Sequence, residues 1–158
     1  MTNEIYGIDY LRRRLADKQT RVLLRYKYYE MKNNAQDFSS IALEKFKGLK
    51  ETVGWCAKAV DSLADRLQFD EFQNDEFNLS EIFLSNNQDI LIDSAVLSAL
   101  ISACSFVYIR EDNGYPRLQV IDGSNATGII DPVTNLLTEG YAVLERDSMD
   151  AVKTEAYF

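Results

Sequence analysis

Five cations stand at helical spacing near the start of this 158-residue sequence: Arg14, Lys18, Arg21, Arg25 and Lys32, separated by four, three, four and seven residues. On a helix that spacing gathers them on one side. A row of fixed positive charge holds an anion, whether an acidic protein surface or a phosphate backbone. Asp61 and Asp65 lie one helical turn apart beside Arg66. Such a pair can bind a divalent metal or do acid–base work, but a solvated helix face is its far commoner setting. Asp122-Gly123-Ser124-Asn125 opens like a calcium loop, but the spaced acidic ligands and terminal Glu that complete one are missing. The run reads as a turn, and Asp131 and Glu139 read as solvated turn carboxylates as well. No glycine-rich loop precedes a Lys-Ser or Lys-Thr pair.

The chain contains no histidine. That removes the commonest general base and metal ligand, and every nucleophile triad that depends on imidazole. Cys56 and Cys104, both among apolar neighbours, read as buried thiols; they are too few for a disulfide scaffold or a zinc site. No cofactor, metal or catalytic residue is expected. The N-terminus lacks the basic and apolar regions of a secretory signal, and no apolar run is long enough to span a bilayer. A soluble, reducing compartment with no membrane partner is the expectation.

Charge is unevenly distributed. Residues 1–50 hold 11 Lys+Arg against 6 Asp+Glu, whereas residues 51–158 hold 6 against 19. The first stretch therefore carries +5 and the second −13, within a net charge of −8. An acidic majority argues against wrapping nucleic acid with the whole surface. A basic end and an acidic remainder suit head-to-tail contact between copies, or a basic arm for another partner.

The elements that position these groups divide the chain in two. Asp9 to about Met31 reads as one helix with Asp9 as N-cap, and Leu11, Leu15, Val22, Tyr26 and Tyr29 as its apolar stripe. Residues 38–49 form a weakly patterned connector. A second helix is predicted from Lys50 to Leu67, buried through Val53, Ala57, Val60, Ala64 and Leu67 and widened by Cys56 and Leu63. Trp55 reads as a core or interface anchor. Gln68 to Phe72 reads as a short edge strand. Leu79 to Ala103 returns to helix, with Ser80 as N-cap, a bend at Asn86-Asn87, and Ile90, Ala95, Val96, Ala99, Leu100 and Ala103 as an apolar surface. From Ser105 the period changes to two. Asp112-Asn113-Gly114 marks a hairpin between Ser105–Arg110 and Pro116–Ile121. Thr127–Ile130 then pairs with Leu137–Glu145, and Val152–Phe158 adds a last strand. The fold class is α+β in a single region, helical over 9–104 and an antiparallel meander over 105–158. A strand at the end of the chain points to a fragment of something longer.

The order of these segments resembles the N-terminal part of the portal protein of long-tailed, double-stranded DNA bacteriophages. Four stretches carry the likeness. They are Leu11 to Glu30, with its basic, Tyr-rich end; Val53 to Leu67, with its Val-Asp…Ala…Arg-Leu pattern; Asn87 with Ala99 to Ile109; and Ile129 to Asn135, before the strand holding Ala142-Val143. The likeness spans Leu11 to Asp147. Family members usually carry a Gly before the first strand of the meander, where this chain has Ala103, and they are considerably longer.

The resemblance implies a structural rather than catalytic role. It implies a homo-oligomeric ring, typically dodecameric, at one capsid vertex. Double-stranded DNA is driven through the ring by a terminase ATPase, and the ring contacts capsid and scaffold proteins and later the head–tail connector. The location implied is the virion, and the host cytoplasm during assembly. This segment would match the peripheral wing, with the basic stripe meeting an acidic face of the next subunit. Arg14, Lys18, Arg21, Arg25, Lys32 and Trp55 are the candidate interface or DNA-facing residues. A free-standing interaction or nucleic-acid-binding module using the basic helix is the alternative, and a carboxylate- or metal-dependent enzyme is a third.

Overall fold

The first helix forms from Ile8 to Tyr29 (α1), within a computed structural model that describes residues 5–32 and 54–158. No Gly or Pro interrupts it, and Leu11, Leu15 and Val22 are buried along one line. Its N-cap is Gly7, not the expected Asp9, which lies inside the first turn and pairs with Arg12 at 3.2 Å. The 38–49 connector and Val53 fall outside the described residues.

The second helix, α2, spans Trp55–Ala64 and buries no residue completely. Ala57, Val60 and Ala64 are half-buried, while Cys56, Leu63 and Leu67 are exposed. At about 100° per residue, Cys56 and Leu63 sit well round from the Ala57–Val60–Ala64 line, so the expected broad stripe is a narrow one and Cys56 is no buried thiol. Cys104 is only half-buried. The stretch expected as an edge strand, Gln68 to Phe72, has no regular structure. Its aromatic rings pack instead, Phe69 on Phe72 and Phe72 on Phe83 with ring centroids 4.8 Å apart in each pair.

The break at Asn86-Asn87 separates two helices, α3 (Leu79–Ser85) and α4 (Gln88–Ser102). Ser80 is not the cap of α3. The Asp75 carboxylate accepts the backbone N–H groups of Leu79 and Ser80 at 2.6 and 2.8 Å, the work of a capping side chain from a position further back. Asn86 stitches this break to the hairpin beyond, donating to the Pro116 carbonyl and accepting from the Leu118 N–H. On α4 the buried line is Leu91, Ser98, Ile101 and Ser102, whereas Ile90, Ala99 and Ala103 are exposed. Hydropathy misplaces this face because the serine hydroxyls find partners. Ser102 Oγ lies 2.7 Å from the Ser98 carbonyl oxygen and accepts the Gly123 N–H at 3.2 Å.

After α4 the chain reverses at Ala103, at φ 69° and ψ 1°. This is the left-handed conformation that commonly ends helices, and a Cβ there costs roughly 1 kcal/mol. The Ala103→Gly variant is expected to be more stable by about 0.5–1 kcal/mol. A denaturant midpoint equal to or lower than that of the parent chain would contradict the assignment.

Five antiparallel strands follow, so the chain is α+β with helices first and strands last. β1 (Ser105–Asp112) and β2 (Tyr115–Asp122) form the predicted hairpin in continuous register from Ser105↔Asp122 to Asp112↔Tyr115. Its two-residue turn holds Asn113 at φ 53° and Gly114 at φ 81°, the pair of positive values that matches the twist of the strands. β3 (Ala126–Ile130), β4 (Leu137–Arg146) and β5 (Val152–Tyr157) form a separate three-stranded sheet in that order.

The expected meander is therefore two sheets, and the turn over 123–125 divides it. This turn is held to the helices: the Gln19 side chain donates to the Ser124 carbonyl at 3.3 Å, and Gly123 meets Ser102. A Cβ on Gly123 would lie 2.8 Å from both Cys104 Sγ and Ser102 Oγ, so only glycine allows the approach. The Asn125 carbonyl then accepts the Val143 N–H at 2.8 Å, which starts the second sheet against β4.

α1 lies across that second sheet. Glu139, Tyr141 and Val143 alternate along β4 and are all buried, as the period of two requires. Leu11, Leu15, Tyr141 and Val143 form the core cluster, flanked by Ile8 and Ile129. α4 packs on the hairpin, and α2 packs on α4. Among the described residues no helix is long and apolar enough to cross a membrane.

Candidate interaction surface

The five stripe cations do not share one environment, and helical geometry explains why. Relative to the buried line through Leu11, Leu15 and Val22, Lys18 and Arg25 stand near the border of the core while Arg14 and Arg21 are turned further away. Lys18 is half-buried, with its ammonium 3.6 Å from Cys104 Sγ and 5.8 Å from the centroid of the Phe106 ring. Arg25 donates to the Ser102 carbonyl at 3.3 Å. Lys32 pairs with Glu30 at 2.6 Å. Arg14 and Arg21 are exposed and, among the described residues, form no ion pair. Arg25 and Lys32 are exposed too, so what sets Arg14 and Arg21 apart within the row of five is that their guanidinium groups have no such partner among the described residues. Tyr10, Leu24 and Tyr28, all exposed, lie on the same side of the helix.

Trp55 is not a core anchor: it is 79% exposed at the start of α2. Asp61 and Asp65 stand in different surroundings. Asp61 accepts the Tyr29 hydroxyl at 2.8 Å, a bond that pushes the Tyr29 phenol above its ordinary value, while Asp65 is exposed at the C-cap of α2. With Asp93 they line an open groove of about 370 Å³ between α2 and α4. Asp131 opens a turn as expected but is half-buried, and Asp122 is the last residue of β2, also half-buried, instead of a solvated turn residue. Asp122 accepts the Ser124 N–H at 2.6 Å, and Asp131 accepts the Val133 N–H at 2.8 Å, which holds the Asp131 carboxyl below its ordinary value.

Glu139 corrects the sequence reading most sharply. It lies within β4, only 6% exposed, instead of in a solvated turn. Its carboxylate accepts the backbone N–H groups of Tyr6 and Gly7 at 2.8 and 2.9 Å and the Tyr157 hydroxyl at 3.1 Å. The Tyr6 N–H first, then Gly7 and Tyr157, hold its carboxyl below the ordinary value, against burial acting the other way. A negative charge at the start of α1 also complements the helix dipole. Four residues along, Arg12 pairs with Glu155, which accepts the Tyr141 hydroxyl at 2.8 Å. Arg12 is the main cause of a Glu155 carboxyl held below its ordinary value. These two carboxylates tie the start of α1 to the second sheet, while its buried Leu11–Leu15–Val22 line sets which side faces outward.

A second charged surface was not singled out from the sequence, although its signal was there. Between Asp61 and Asp93 the chain carries nine acidic residues and one basic residue, Arg66. The Phe69–Phe72–Phe83 stack and the Asp75 cap order this stretch into a ledge built from the α2–α3 loop and α3. Asp70, Glu71, Glu76 and Glu81 project from it and are exposed, as are Phe77 at 78% and Leu84 at 69%. The chain matches no family model and no curated protein sequence.

Proposed function

We propose that this chain is a structural segment of a bacteriophage portal ring, working in the virion by fitting against neighbouring copies and the capsid, and that it converts no substrate. The reading rests on the ordered resemblance of four segments. The architecture agrees with it: a long N-terminal helix leads through shorter helices to antiparallel strands. Ala103 stands at the place where the family usually carries Gly and keeps the left-handed turn that a Gly there would serve.

One observation carries the assembly role. Among the described residues nine apolar side chains are buried, while twenty-four large apolar ones are exposed, Trp55, Phe77 and Ile109 among them. Scattered exposed apolar residues are ordinary, but so large an excess over so thin a core is what a chain that fits against other chains would show. The division of the basic row favours a protein partner over DNA. Phosphate binding gains affinity with each free cation, and Lys18, Arg25 and Lys32 are engaged within the chain.

The test is removal of the gene from a phage that encodes it. Empty or unfilled heads are expected, with negative-stain images of the purified full-length protein showing a closed ring around a channel. DNA-filled, infectious particles from the deletion strain would refute the proposal.

A further inference from the structure

We infer that the acidic ledge formed by the α2–α3 loop and α3 is the docking surface for α1 of a second copy of this chain, Arg14 and Arg21 of one copy facing Glu71, Glu76 and Glu81 of the next. This deepens the ring reading above and rests on it. Both surfaces are exposed, of opposite net sign even with the exposed Asp17 between Arg14 and Arg21, and belong to different parts of one molecule. Arg14 and Arg21 form no ion pair among the described residues, and neither do the ledge carboxylates.

The match is not of charge alone. Leu24 and Tyr28 follow Arg21 on the helix at three and seven residues, so the cations flank an exposed apolar strip. On the ledge, Glu81 and Leu84 are three residues apart on α3 and therefore share a face, with Phe77 exposed beside the stacked Phe72 and Phe83. Each surface thus offers apolar area for an interface core and charge for its rim, the usual anatomy of a specific protein contact. A contact between two different patches of identical chains is heterologous. Such contacts propagate head to tail and close into a ring when the rotation per step allows it.

The experiment is a charge exchange in the protein at its native length, read by sedimentation velocity and by salt dependence. Arg14→Glu with Arg21→Glu makes one variant, Glu71→Lys with Glu76→Lys and Glu81→Lys the second, and all five changes together the third. The first two are each expected to weaken self-association by at least roughly a hundredfold, since like charges then meet across the contact. The third restores it to within about tenfold of the parent. Circular dichroism and the thermal midpoint should stay at parent values in every case, because all five side chains are exposed.

Failure of the combined variant to recover, or loss of association in the first variant alone, overturns the inference. So does a first variant that loses retention of double-stranded DNA while its self-association is unchanged. A normal ring from every variant removes this contact but leaves the portal reading standing. Conversely, exchange rescue with DNA-filled heads from the deletion strain removes the portal reading and keeps the contact.

Discussion

Leu11→Ala is expected to lower the stability of the chain by about 3–4 kcal/mol, the cost of emptying a wholly buried leucine site. Leu11 is 0% exposed and meets Leu15, Tyr141 and Val143 where α1 crosses the second sheet. The site cannot collapse easily, because the neighbouring side chains stand on α1 itself and on β4, whose backbones are hydrogen-bonded. A small domain has roughly 5–15 kcal/mol of stability in total, so the loss is a large share of it. Leu24→Ala on the exposed side of the same helix removes little buried surface and should change stability by less than about 0.5 kcal/mol. Urea unfolding with an unchanged slope and a shifted midpoint is the readout. Equal effects at the two positions would mean that α1 is not docked through the Leu11 face.

Glu139→Gln is expected to have the next largest effect, and its signature lies in pH. The carboxylate accepts three hydrogen bonds, whereas the amide keeps one oxygen for this role and brings two donors with no acceptor to meet. At neutral pH the variant is therefore the less stable. A carboxyl whose folded value lies below its unfolded one stabilises the fold above the unfolded value and loses that contribution as pH falls through the folded value. Glu139 and Glu155 are both held low in this way. The parent chain should lose stability as pH falls through the carboxylate range, with the gap between parent and Glu139→Gln closing on the acid side, where the protonated Glu139 resembles the amide. Thermal midpoints across that range test it. A gap that stays constant with pH would show that the Glu139 charge has no part in anchoring α1. Loosening Gly7 from Glu139 also frees the start of the helix that carries Arg14.

Local rules acted strongly where a single element could satisfy them. The spacing of Leu11, Leu15 and Val22 placed α1 to within about two residues, because an uninterrupted apolar stripe on a 22-residue helix has one way to be buried. Asn113-Gly114 placed the hairpin because both of its turn residues tolerate positive φ. The change of period at Ser105 and the break at Asn86-Asn87 were legible for the same reason. Other features depended on partners distant in sequence. Cys56 and Leu63 looked buried because hydropathy marks what is able to be buried, not how much of a helix its neighbour covers. Ser98 and Ser102 are not among the apolar residues expected to pack on α4, yet they belong to its buried line, since nearby carbonyls and the Gly123 N–H satisfy them.

The amino-acid sequence alone therefore determined the α+β class, the helix-then-strand order and the lopsided charge, each set by periodicity, turn chemistry or composition within a short window. The tertiary structure alone decided that the strands split into two sheets and that Glu139 is a buried anchor rather than a turn residue. It also decided that, of the exposed cations in the basic row, Arg25 and Lys32 have partners within the chain while Arg14 and Arg21 form no ion pair among the described residues. Each of these depends on contacts between residues far apart in the chain, and the energy of a hydrogen bond or an ion pair is set by its surroundings, which no local pattern of residue types contains.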